Sequence, residues 1–122
     1  MLKTIFSSIA LASLTVASLQ AGAVSARQCA QASFYGKGDG FHGQRAADGS
    51  RFNAHGLTTA HRSLPFGTRL RVTNQATGKS VVVKVTDRGP YIAGRSLDLS
   101  YGAFKEIARP SQGIAKVCFA KV

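Results

Sequence analysis

Two carboxylates, Asp87 and Asp98, stand out because of what surrounds them. They lie eleven residues apart in a chain with only five Asp and Glu against sixteen Lys and Arg. Asp87 sits in Val85-Thr-Asp-Arg-Gly-Pro90, where a Val-rich segment breaks into a Gly-Pro turn. Asp98 sits in Ser96-Leu-Asp-Leu-Ser100, a short apolar run that leads into a helix. A pair of carboxyls at strand ends suits acid chemistry on a neutral polymer such as a glycan. The plainer alternative is structural, with Asp87 capping a turn and Asp98 tethering a loop.

The elements that must position this pair begin after residue 26. Lys3 supplies a positive start, and 5–19 form a mostly apolar stretch broken by Ser and Thr. Val24-Ser-Ala26 then offers small residues at −3 and −1, so 1–26 reads as an export signal cleaved before Arg27, with cleavage after Ala23 as an alternative. The stretch is too short and too rich in Ser and Thr for a membrane span. Arg27 and Gln28 precede Cys29, which argues against a lipid anchor there. Residues 27–122 suffice for one small domain with one core. Such a domain is marginal on burial alone, and in an exported chain with exactly two cysteines Cys29 and Cys118 are expected to pair.

The formal net charge is +11, and only Lys3 falls within 1–26, so the expected domain carries +10. This charge favours anionic partners, and the envelope's polyanions fit an exported protein better than nucleic acid. The basic residues are dispersed, with no aromatic-rich RNA-binding motif, so no nucleic-acid role is expected.

Residues 32–36 read as a first strand. Gly36, Gly38, Gly40 and Gly43 then mark a tight loop over 37–44, and Asp48-Gly49 marks a turn. Residues 68–73 alternate Leu70 and Val72 against Arg69 and Arg71, whereas 80–86 are more continuously β-branched, as a buried strand is. The turn-rich 74–79 joins them as a hairpin. Ser100 is a candidate N-cap for a short helix with Tyr101, Phe104, Ile107 and Ala108 on one face, stopped by Pro110. Residues 113–122 close the chain as a strand. About six short strands with one or two short helices read as a mainly β chain, a small β-barrel.

Seven segments in this order and spacing resemble one family. They are Ala32-Ser-Phe-Tyr-Gly36, Phe41-His-Gly43, Leu57-Thr-Thr-Ala-His61, Leu64-Pro-Phe-Gly-Thr68, Val72-Thr-Asn74, Val85-Thr-Asp-Arg-Gly-Pro90 and Leu97-Asp-Leu-Ser-Tyr101. The chain is similar to the rare lipoprotein A family, whose domain is a six-stranded double-psi β-barrel related to the first domain of expansins. The resemblance implies an envelope protein acting on peptidoglycan glycan strands. Its implied activity is that of a lytic transglycosylase, which cleaves the β-1,4 bond after N-acetylmuramic acid and leaves a 1,6-anhydro end. No cofactor is implied, and the partner is the glycan itself. A monomer is expected.

One position departs from the family. Its active members have a Glu directly after the turn glycine that corresponds to Gly49, and here that residue is Ser50. A hydroxyl without an activating base is no proton donor of useful strength. Asp87 matches the second catalytic carboxylate, and Asp98 matches an Asp that expansins share. Two arrangements stay open: Asp98 as acid with Asp87 stabilising charge, or Asp87 alone with Asp98 structural. The alternative function is a binding module that keeps the groove and has lost the chemistry.

His61 is a candidate to orient Asp87 or to bind a sugar hydroxyl, against the reading of a satisfied barrel histidine. Tyr35 and Tyr91 are candidate sugar platforms, with rim or core packing as the alternative for Tyr35. Arg88 could bind a polymer carboxylate or pair with an Asp. Ser50 lines the substrate side. His42, His55 and His61 have no metal-ligand spacing, so no metal is expected.

Overall fold

The computed structural model describes residues 26–122; the expected export signal lies, apart from Ala26, outside the described residues. Six strands close into a barrel in the order β1-β5-β2-β4-β3-β6. They are β1 (Gln28–Tyr35), β2 (Thr58–Ala60), β3 (Arg69–Asn74), β4 (Ser80–Asp87), β5 (Arg95–Ser100) and β6 (Ala115–Lys121). One helix, α1 (Tyr101–Ile107), follows β5, and a single 3-10 turn spans Pro110–Gln112. The chain is thus mainly β, a closed six-stranded barrel with one short helix, as its pattern predicts.

The hairpin of β3 and β4 shows how composition sets position. Leu70 and Val72 alternate with exposed Arg69 and Arg71, and Val81, Val83 and Val85 face the same interior from β4. Leu97, Leu99, Val117 and Phe119 extend this core, which α1 caps with Phe104 and Ile107. Tyr101 departs from the expected apolar stripe: it is only half-buried, packs on Phe34 at 5.7 Å, and lies beneath the Lys37 and Lys105 ammoniums. The helix begins as expected, with the Ser100 hydroxyl accepting from the Ala103 N–H at 3.2 Å. Gly102 has no room for a side chain, since a Cβ there would stand 2.7 Å from the His55 carbonyl oxygen. That close approach lets 53–56 dock on the helix start.

Two register shifts set which side chains come together. Between β2 and β4 the partners run Thr58 with Lys84, Thr59 with Val85, then Ala60 with Asp87, skipping Thr86. Between β1 and β5 the partners jump from Arg95 to Leu97. Such irregularities re-aim side chains along a strand.

Cys29 and Cys118 face each other across β1 and β6 and are disulfide-bonded. The bond ties the first strand to the last over a separation of 89 residues. Replacing both cysteines by Ala is expected to lower unfolding free energy by about 2–5 kcal/mol, measured by urea denaturation against the oxidised protein.

Candidate functional site

The register builds the site. On β5, Leu97 and Leu99 point into the core, so Asp98 takes the opposite side. On β1, Ala32 is core, and Ser33 and Tyr35 share the side away from it. Ser33 pairs with Asp98, Asp98 with Ala60, and Ala60 with Asp87. Four adjacent strands therefore present Ser33, Asp98, Ala60 and Asp87 in one row. The two carboxylates flank an alanine in that row. Strands repeat at about 4.8 Å, so their backbones stand about 10 Å apart.

The two carboxyls live in different surroundings. Asp98 accepts a hydrogen bond from the Ser33 hydroxyl at 3.0 Å. Burial pushes its pKa above the ordinary carboxyl value, and Asp39 and Asp87 push the same way, against Ser33 and the Arg95 charge. Asp87 is saturated with donors. Its Oδ2 accepts from the Tyr35 hydroxyl at 3.0 Å, and its Oδ1 from the backbone N–H of Ala47 at 3.0 Å and of Arg88 at 3.1 Å.

Tyr35 is a positioning residue. Its ring is stacked on Phe52, with centroids 4.3 Å apart and planes at 13°, and meets the edge of Phe41. That ring face is covered, so the expected sugar platform is replaced by a packed phenol whose hydroxyl fixes Asp87. Burial first, and then the neighbouring carboxylates, push the phenol pKa far up, so it remains a donor. Tyr91, by contrast, is 76 % exposed and keeps its ring free.

The loop over 36–56 roofs the row. Besides the Ala47 contact, the Asp48 N–H donates to the Thr86 carbonyl at 3.1 Å. Gly49, with φ +90°, turns the chain in a conformation that side chains rarely adopt. Ser50 is exposed, and its hydroxyl donates to Asp48 Oδ1 at 2.5 Å. Slight burial raises the Asp48 pKa, but hydrogen bonds from Ser50 and the charge of Lys84 outweigh it and hold that carboxyl below its usual value. Asp48 and Asp39 are the site residues that sequence reasoning passes over as turn formers. Asp39 anchors the loop through the N–H groups of Gly36 and Phe41, at 2.7 and 3.1 Å.

Two sequence candidates have other work. His61 meets Asp87 only through its backbone, its N–H donating to the Asp87 carbonyl at 3.1 Å. Its Nδ1 accepts from the N–H groups of Ser63 and Leu64, each at 3.0 Å, and the ring packs 6.1 Å from Phe119. Burial, with the charges of Arg62 and Arg88, pushes its pKa below the ordinary value, so the ring is neutral with its proton on Nε2. Turn capping thus replaces the expected orientation of Asp87. Arg88 likewise turns from the polymer side: its guanidinium donates to the carbonyls of His61 and Leu64 and lies 3.8 Å over the Phe66 ring. Both residues hold 61–66 in place behind Asp87.

Comparison with known proteins bears on the family and the fold. Residues 27–119 match the family described as "Lytic transglycolase". The chain belongs to that family. Among relatives of the lytic transglycolase family, the "Probable endolytic peptidoglycan transglycosylase RlpA" of Nostoc is 57 % identical over 86 residues, 70 % of this chain and 23 % of that protein. The "Endolytic peptidoglycan transglycosylase RlpA" of Rickettsia felis is 48 % identical over 87 residues, covering 70 % and 38 %. The chain therefore spans well under half the length of these relatives. A mutant Clavibacter michiganensis expansin in complex with cellohexaose has a TM-score of 0.64 at 25 % identity, covering 80 % of this chain and 50 % of that one. The Streptomyces papain inhibitor shares the fold, with a TM-score of 0.65 at 19 % identity, covering 82 % and 97 %. Within this lytic transglycolase barrel, no described helix is long and apolar enough to cross a membrane.

Two outcomes check the site. Tyr35→Phe keeps the Phe52 stack and removes the donor to Asp87, and is expected to cost about 1.5–3 kcal/mol in urea denaturation at pH 7. Asp98 binds its proton more tightly folded than unfolded, so its contribution is full below 3.8 and is lost as pH rises through the raised folded value. Asp98→Asn should therefore gain stability relative to the parent as pH is raised from about 3 to 7, followed by melting temperature; a flat or opposite trend contradicts the assignment.

Proposed function

We propose that this protein is a lytic transglycosylase acting on peptidoglycan glycan strands, with Asp98 as the general acid and Asp87 as the charge-stabilising carboxylate. The observation that carries this reading is the placement of both carboxyls as register partners of Ala60, one half-buried and raised in pKa, the other held by three donors. A raised carboxyl keeps its proton to higher pH and can deliver it to a leaving oxygen.

The chemistry runs as an intramolecular displacement. Asp98 gives its proton to the glycosidic oxygen as the bond from that oxygen to C1 of the muramic residue breaks. The sugar's own 6-hydroxyl forms the new bond to C1 and releases its proton to the Asp98 carboxylate. Positive charge on the ring is opposed by Asp87, whose donors fix its position rather than let it swing. No water is consumed. Tyr91 supplies an exposed aromatic surface for the strand beyond the cleaved bond.

We further read 1–26 as a signal for export to the cell envelope, where the Cys29–Cys118 disulfide persists. Ser50 favours a second reading, a groove that binds glycan without cleaving it. Its hydroxyl is bound to Asp48 and brings no carboxyl to the position where active relatives carry Glu.

The test is incubation with peptide-stripped glycan strands and mass spectrometry for 1,6-anhydro ends. Asp98→Asn and Asp87→Asn are each expected to lower the rate about 10²–10⁴-fold, and the parent's rate to fall as pH climbs past the Asp98 value. A wild type that binds strands without product, and gains turnover on Ser50→Glu, would establish the second reading instead.

A further inference from the structure

The acidic residues are gathered on one side of this molecule. Asp39, Asp48, Asp87 and Asp98 all belong to the row or to the loop that roofs it, leaving only Glu106, on α1. Across the barrel the pattern reverses. In the closed order, β3 stands opposite β5, and β6 opposite β2. Arg69 and Arg71 are the exposed residues of β3. Arg69 is the direct cross-strand partner of Lys84 on β4, and like charges so placed repel. Lys84 also acts on the Asp48 carboxylate at the loop's edge.

Two shallow hollows flank β3 on this face. One, of about 140 Å³, is lined by Arg27, Arg71, Thr73 and Lys121. The other, of about 300 Å³, is lined by Leu57, Arg69 and Lys84. Leu57 and Val122, exposed at 47 % and 59 %, stand at the rim. Five cations thus cover a broad sheet surface with apolar side chains at two edges. A single polymer strand would call for a line of charge and a continuous groove. A plane of mobile phosphates, with shallow apolar contact at its border, fits this surface better.

We propose that the β4-β3-β6 face docks the protein on an anionic phospholipid surface. Headgroup phosphates occupy the two hollows and relieve the Arg69–Lys84 repulsion. The carboxylate row is centred on β5 and β2, opposite β3 and β6, and meets this face only at the end of β4, where Asp87 lies three residues beyond Lys84, so most of it faces away from the lipid. The proposal is independent of whether that row cleaves glycan, because lipid binding is read separately from product formation.

The experiment is vesicle co-sedimentation with oxidised protein of residues 27–122, which hold every strand of the barrel. Vesicles of phosphatidylcholine with about 30 % phosphatidylglycerol are compared with pure phosphatidylcholine, at low salt and about 0.5 M NaCl. Expected are binding to the anionic vesicles alone and its loss at high salt. Arg69→Gln/Arg71→Gln should weaken binding about 30-fold, at roughly 1 kcal/mol per basic residue near the surface. Lys105→Gln/Arg109→Gln removes the same charge from the helix end of the molecule and should leave binding within about twofold, with circular dichroism checking that both variants fold. Equal weakening by both pairs would mean net charge rather than this face, and overturns the proposal. So would failure to bind anionic vesicles at low salt, or full competition by equimolar soluble polyphosphate, which would point to a polymer ligand.

Discussion

The Asp87 carboxylate is the joint on which the site depends. Its two oxygens collect a phenol from β1, a backbone N–H from the glycine-rich loop and a backbone N–H from its own strand end. No other described side chain links those three segments. Removing the charge would leave three donors facing one another, and a donor stranded in a partly buried place costs about 1–3 kcal/mol. The same arrangement restrains the carboxylate, since a group held from three directions cannot follow a ligand. It can only meet one that arrives in register.

That fixity makes sense of the contrast with Asp98. One Ser33 hydroxyl and a half-buried setting leave the second carboxyl free to hold or release a proton, whereas Asp87 is arranged as an acceptor. Two identical side chains are differentiated by their neighbours, and the neighbours are set by strand alternation. The loop that carries Ser50 is fastened over this pair by Ala47 and Asp48, so substitution at Ser50 alters the roof without dismantling the floor.

Much of this was legible in the chain. The alternation of Leu70 and Val72 with Arg69 and Arg71, the β-branched run of β4 and the Ser100 cap each state a local preference that tertiary contacts reinforce. Scarcity and motif singled out Asp87 and Asp98, and the register sets both beside Ala60. What could not be read was direction. His61 and Arg88 sit beside Asp87 in register or in sequence, yet both side chains turn to the 61–66 turn, because backbone groups there lacked other partners. β2 is three residues long, too short for any periodicity to announce it. The offset that seats Asp87 rather than Thr86 beside Ala60 likewise leaves no trace in composition. Asp39 and Asp48 look like ordinary turn residues until the loop folds back.

Ala60 carries a consequence of its own. It stands between the two carboxyls, almost wholly covered, on the shortest strand of the barrel. Only a methyl occupies the register position between Asp98 and Asp87, and the Tyr35 phenol reaches across from β1 to bond Asp87. Natural variation here should be confined to glycine, alanine and serine, however freely the rim diverges. A bulkier occupant would change one letter of the Leu57–His61 segment and crowd the buried place over which the phenol reaches Asp87, so a near-complete family signature could outlast the arrangement it marks.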